Sequence, residues 1–188
     1  MVAAVAVRNG VDVGRLVQTI EAIGQDPGIA RFTFRAGTTW EGGSTSRGQI
    51  SSFVHAGEEV PHARTHGLTG CEPDVLLGRD RGPNAVELVL AALGFCYTVG
   101  FVYNAAARGY ELEEVSYELE GDLDLRNFVG MADGPRPGFT AIRVKGTVRA
   151  ANASKEELEE LCRYVQDTSP VLDVIANPVP VTTTFEVR

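Results

Sequence analysis

From Gly82 to Gly109 the sequence commits to a single element. Gly82-Pro83 makes a turn, Asn84 stands where a helix cap belongs, and residues 85–107 follow with few polar interruptions. An asparagine oxygen at a cap accepts from an otherwise orphaned first-turn amide. Gly109 supplies the stop, because glycine readily takes the left-handed conformation that closes helices. Apolar residues fall on nearly every face of this helix, so it must be covered all round. With so few other helices, 188 residues do not provide that cover alone, and a homodimer sharing one core is expected. Cys96 sits in the middle of the helix. Its chemistry depends on which groups meet the sulfur across the interior.

The flanking segments are mixed. Val13, Leu16, Val17, Ile20 and Ile23 share a helical stripe, and Asp26-Pro27-Gly28 breaks it, which predicts an amphipathic helix laid against a core. Residues 31–40 alternate and are rich in β-formers. A Gly/Ser loop over 41–48 leads into a second strand at 50–55, a hairpin with a long loop, and a third strand follows at 63–68. Residues 72–83 read as a loop. Strands are expected at 111–125 and 140–148, separated by a Gly/Pro-rich loop over 130–138. Ser154 with Glu157 has capping-box spacing ahead of a helix to Val165. Ser169-Pro170 opens a short helix, since proline suits the first helical position, and Asn177-Pro178 ends it before a closing strand over 181–187. The order implies an α+β class with sheets wrapped on long helices. It is one domain, with residues 1–30 as a helical extension, 31–68 as N-terminal strands, and 84–188 as the central helix and C-terminal part.

Charge narrows the function. A formal net charge of −8, from 17 basic and 25 acidic residues without a basic cluster, argues against nucleic acid and anionic membranes. The longest unbroken apolar run, Leu88–Phe95, is too short to span a bilayer. The apolar start, Met1–Val7, lacks the basic region of a signal peptide, so a cytoplasmic protein is expected. No glycine pattern has phosphate-loop spacing, and no cofactor is expected.

The cysteines, Cys71, Cys96 and Cys162, are far apart in sequence and read as free thiols. For Cys96 two readings stand: a small core hydrophobe, or a reactive thiol activated by a helix N-terminus or a cation. Ser169-Pro170 offers such a helix start. Cys162 falls on the core face of its helix, whereas Cys71 lies in a loop and is expected to be exposed. His55, His62 and His66 read as strand-surface residues and no metal site is expected, although Arg64 and His66 are candidates to line a pocket. Asp122 and Asp124 share a strand face, compatible with acid–base work or simply with solvated surface.

Several motifs, in order, carry a resemblance. Gly82-Pro83-Asn84-x-x-Glu87-Leu88-x-Leu90-Ala91-Ala92-Leu93-Gly94-x-Cys96 is similar to the central-helix signature of the OsmC/Ohr family. Ala106-Ala107-Arg108-Gly109-Tyr110, Gly121-Asp122-Leu123-Asp124-Leu125-Arg126, Arg136-Pro137-Gly138-Phe139 and the segment from Ser169-Pro170 to Val181 follow in the same order. The resemblance implies an intertwined homodimer whose sheets wrap two central helices. It also implies a thiol-dependent peroxidase in which a helix cysteine, here Cys96, is oxidised by an organic hydroperoxide to a sulfenic acid. In such proteins a second cysteine closes a disulfide, and an arginine–glutamate pair holds the thiolate. This chain departs from that pattern. Ser169 replaces the resolving cysteine, Val86 the glutamate and Ala85 the usual proline. Glu87 matches a neighbouring position. The hairpin arginine aligns near Thr39, with Arg35 and Arg47 close by.

The resemblance therefore implies peroxide reduction through Cys96, assisted by Ser169 and regenerated by an external thiol. Glu87, Arg64, His66 and Arg35 are the candidate pocket residues. The substrate is a small organic peroxide or another apolar electrophile. The rivals are a non-catalytic binding protein of the same fold, and a Cys96-dependent hydrolase or acyl transferase, which needs a base beside the sulfur.

Overall fold

The computed structural model describes residues 7–188; the apolar stretch before Val7, with the start of the proposed helical extension, lies outside the described residues. The chain divides into two compact units, Met1–Leu90 and Ala91–Arg188.

The first unit opens with a small hairpin of β1 (Val7–Arg8) and β2 (Val11–Asp12). Its two-residue turn is Asn9-Gly10, both at positive φ, the conformation that Asn-Gly favours between strands. Asp12 caps α1 (Val13–Gln25), accepting from the Arg15 amide at 2.9 Å. The expected helix is therefore present, but none of its residues is buried. Ile20 is 57% exposed, so its apolar stripe is not laid against a core within this unit.

A four-stranded antiparallel sheet follows: β3 (Phe32–Phe34), β4 (Gly37–Gly42), β5 (Thr45–His55) and β6 (Glu58–Gly70). The long central β5 pairs with all three others. The loop expected over 41–48 is instead a tight turn at Gly43-Ser44, with the positive φ values of Gly42 and Gly43 reversing the chain. Ala56-Gly57, again both at positive φ, makes the second hairpin turn, and the third strand starts five residues earlier than its sequence pattern indicated. Beyond β6 the chain passes through a 3₁₀ turn at Asp74–Leu76 and reaches α2 (Ala85–Arg108). Asn84 and Glu87 cap α2 reciprocally: the Glu87 amide donates to Asn84 Oδ1 at 2.9 Å, and the Asn84 amide to Glu87 Oε2 at 2.8 Å.

α2 continues into the second unit and is its core element. By length and composition it is long enough and apolar enough to cross a membrane, which the shorter unbroken run did not suggest. A core helix of a soluble protein meets the same criteria. Leu93, Tyr97, Phe101 and Ala105 are buried against Leu161 and Val165 of α3 (Lys155–Asp167). Full burial of side chains such as Phe101, Leu93 and Leu161 contributes about 2–3 kcal/mol each. The hairpin of β7 (Leu112–Asp122) and β8 (Ala141–Ala150) turns Val115, Tyr117, Leu119 and Ile142 toward this cluster. Its other face carries cross-strand ion pairs, Arg143 with Glu120 and Asp122, and Lys145 with Glu118. Both capping-box bonds of Ser154 and Glu157 are present. After α4 (Pro170–Ala176), residues 177–188 form no strand. The alternation of Val181, Phe185 and Val187 predicted a closing strand, but no sheet edge pairs with them and they stay at least 81% exposed.

The mixed helix-and-sheet class expected from the sequence is the class observed.

Candidate functional site

The second unit brings together the two residues that sequence reasoning placed first. Cys96 Sγ lies 3.2 Å from Ser169 Oγ. Each is positioned by its own element: Cys96 by the middle of α2, and Ser169 by its role as N-cap of α4. The Ser169 oxygen accepts from the Leu172 amide at 3.1 Å. That bond uses one of the two lone pairs of the oxygen, and in the contact with sulfur either atom can be the donor. Ser169 is buried and Cys96 half-buried. The cap fixes the position of the serine oxygen and so gives the Cys96 sulfur a polar neighbour at hydrogen-bonding distance.

The other candidates lie in the first unit. The Glu87 carboxylate closes the α2 cap. Arg35 pairs with Glu59 at 3.6 Å, with both side chains more than half exposed, and Arg47 is bound to Glu41. Arg64 and His66 are exposed on β6. His66 stands edge-on to His62, with centroids 5.1 Å apart, and His55 stacks on Phe32 and donates from Nε2 to the Ile29 carbonyl at 2.7 Å. The histidines thus belong to a row of rings with Phe32, Phe34 and Phe53. Among the described residues no cluster of three potential metal ligands occurs. Asp122 and Asp124 are held below the usual carboxylate range by Arg143 and Arg126 respectively, as solvated ion pairs.

Cys71 was expected to be exposed in a loop, and the opposite holds: it is 2% exposed. Thr45 Oγ1 lies 3.5 Å and Ser44 Oγ 3.6 Å from its sulfur. The backbone amides of Arg81 and Arg79 also donate to it. These donors, Thr45 foremost, lower the thiol to about 6 against the opposing effect of burial. The loop over 72–83 achieves this by lying against the end of β6. A Cβ at Gly78 would fall 1.6 Å from the Glu72 carbonyl oxygen, and one at Gly82 would fall 2.1 Å from that of Thr69. Those glycines carry no phosphate-loop spacing; they are there because backbone meets backbone. Cys162, by contrast, is raised by burial and by Glu159. The sequence signal for Cys71 was its glycine-rich neighbourhood, but nothing in a sequence says which way two loop amides point.

Comparison with known proteins places the fold. The family model described as OsmC-like protein matches residues 78–184. The fold is similar to that of an OsmC-like protein from Mycoplasma pneumoniae, at 14% identity and TM-score 0.56, covering 77% of this chain and 87% of that one. An OsmC-like protein of unknown function from Vibrio cholerae matches at 14% identity and TM-score 0.56, over 75% and 92% of the two chains. An organic hydroperoxide resistance protein OsmC from Legionella pneumophila matches at 20% identity and TM-score 0.50, over 76% and 88%. No curated protein matches by sequence.

Proposed function

The chain belongs to the OsmC-like family, and from that premise we propose that it is a one-cysteine peroxidase reducing organic hydroperoxides through Cys96. The observation that carries this reading is the 3.2 Å approach of the capping Ser169 hydroxyl to the Cys96 sulfur. The thiolate attacks the hydroperoxide oxygen that bears hydrogen, and the O–O bond breaks. The alkoxide leaves and takes up a proton as the alcohol, and sulfur becomes the sulfenic acid. Ser169 donates to sulfur during this step and cannot close a disulfide. One external thiol condenses with the sulfenic acid and releases water. A second displaces the mixed disulfide and restores Cys96. The name of the Legionella neighbour, a hydroperoxide resistance protein, supports the substrate class.

The same proposal takes the working form as a cytoplasmic homodimer. Phe95, Val99 and Tyr103 form an exposed stripe on α2, and Phe32 and Phe34 are exposed on the first sheet; a second copy would cover such surfaces. The test is consumption of cumene hydroperoxide with excess dithiol. Turnover should vanish in Cys96→Ser, and equal rates in the wild type and the variant would end the proposal. Light scattering of the eluted protein should give twice the 20.1 kDa chain mass.

A further inference from the structure

A cavity of about 460 Å³ opens between the β7–β8 hairpin, α3 and α4 within the second unit. Its size falls in the range of small-molecule pockets, about 300–1,000 Å³. Cys96 does not line it; Cys162 does, with Leu93 and Tyr97 of α2, Tyr117 of β7, and Leu172 and Ile175 of α4. Gly146 of β8 pairs across the hairpin with Tyr117, and a Cβ there would fall 2.9 Å from Cε1 of that ring. The glycine is therefore what lets the Tyr117 ring lie flat along the wall.

Every side chain of the lining is uncharged. Burial pushes Tyr117 up to about 12 and raises Tyr97 and Cys162 as well, so these groups stay neutral at physiological pH. A charged ligand would lose its hydration and meet no counter-charge. A neutral chain with one polar end meets apolar walls and the hydrogen-bonding groups of Tyr97, Tyr117 and Gln166. One N–H of Gln166 donates to the Cys162 carbonyl at 3.1 Å, and its side-chain oxygen is an acceptor.

We propose that this cavity is a binding site for a neutral, mainly apolar molecule carrying one hydrogen-bond donor, of the class of medium-chain alcohols. Neither Cys96 nor Ser169 lines the cavity, and the proposal does not depend on the peroxidase reading.

The test uses the full chain and a series of 1-alkanols that displace the neutral dye N-phenyl-1-naphthylamine. Each added methylene should tighten binding about fourfold until the cavity is full, and decanoate at pH 8 should bind at least tenfold more weakly than 1-decanol. Val144→Trp at the cavity wall should abolish binding. Independently of that variant's folding, saturating 1-decanol should slow N-ethylmaleimide labelling of Cys162 at least tenfold, read by peptide mass, while Cys71 and Cys96 label as before. An alkanol series without length dependence, a decanoate that competes equally, or Cys162 labelling indifferent to decanol would overturn the proposal. So would a cavity already filled by the C-terminal segment or a second copy, because neither dye nor alkanol would then bind.

Discussion

Cys71 and Cys96 make an instructive pair. In the first unit, Cys71 is surrounded by two hydroxyls and two backbone amides and is 2% exposed. In the second, Cys96 has a single hydroxyl partner, 3.2 Å away, and is half-buried. The first is better supplied with donors and worse supplied with access. Thiolate character and reach are separate properties, and a reactive cysteine needs both. The difference suits Cys71 to holding a loop in place and, on the function proposed above, Cys96 to meeting a substrate.

The largest effect should come from asking both sulfurs the same question. After one equivalent of cumene hydroperoxide, dimedone should tag Cys96 and leave Cys71 untouched, as read by peptide mass. Cys71→Ser should keep peroxide turnover, whereas Cys96→Ser should lose it. A dimedone adduct on Cys71 alone would reverse the assignment. Next in size is the loop. Gly78→Ala sets a Cβ against the Glu72 carbonyl, 1.6 Å away if nothing moves. Relief of an overlap with backbone costs about 1–3 kcal/mol or more. The loop should lift and Cys71 should become open to maleimide. Cys71 labelling as slow as in the wild type would show that the loop does not shield it.

A more moderate effect is expected at the other sulfur. Ser169→Ala removes the donor to Cys96 and the cap of α4 together. A hydrogen bond to a charged group contributes about 1.5–3 kcal/mol, so peroxide turnover should fall about 10- to 100-fold. The cap accounts for about 1 kcal/mol of stability. Ser169→Thr keeps the hydroxyl and should recover most of the rate; a rate no better than that of the alanine variant would make Ser169 a cap and nothing more. Ser169→Cys sharpens the same point. The short approach to Cys96 should let the two sulfurs pair on mild oxidation, with a mass 2 Da lower, and no such loss would put their side chains outside bonding geometry.

Much of this was legible before any coordinates. Asn84, Gly109, Ser154 with Glu157, and Ser169-Pro170 are local signals, each satisfied within a few residues, and all four act as the sequence implied. The turns at Gly43-Ser44 and Ala56-Gly57 were local too, but Gly42-Gly43 read as a loose loop because sequence gives composition, not φ. What the sequence could not give was convergence at a distance. Ser44 and Thr45 reach Cys71 across 26 or more residues, and the amides of Arg79 and Arg81 point at the sulfur only because Gly78 and Gly82 let the loop close. The uncharged cavity at Cys162 is of the same kind, built from five elements, most of whose residues look like ordinary core. The strand expected over 181–187 failed for the converse reason: alternation makes a strand possible, but only an edge to pair with makes one form.

The remaining predicted effect concerns what the Cys71 cluster does for stability. Its thiol is lowered from an ordinary value of 9.0 to about 6, so the folded state binds the thiolate better than the unfolded chain does. The stabilisation is therefore complete above the ordinary thiol range and is lost as the pH falls through about 6. Cys71→Ala removes it. The gap in urea midpoint between the wild type and this variant should thus be narrow at pH 5.5 and widest near pH 9, with most of the change between pH 6 and 9. Carboxylate pairs such as Arg143–Asp122 titrate at lower pH and are common to both proteins, so they cancel in the difference. A constant gap across that range would mean that Thr45, Ser44 and the loop amides hold a neutral thiol. The contrast between the two sulfurs would then be one of access alone.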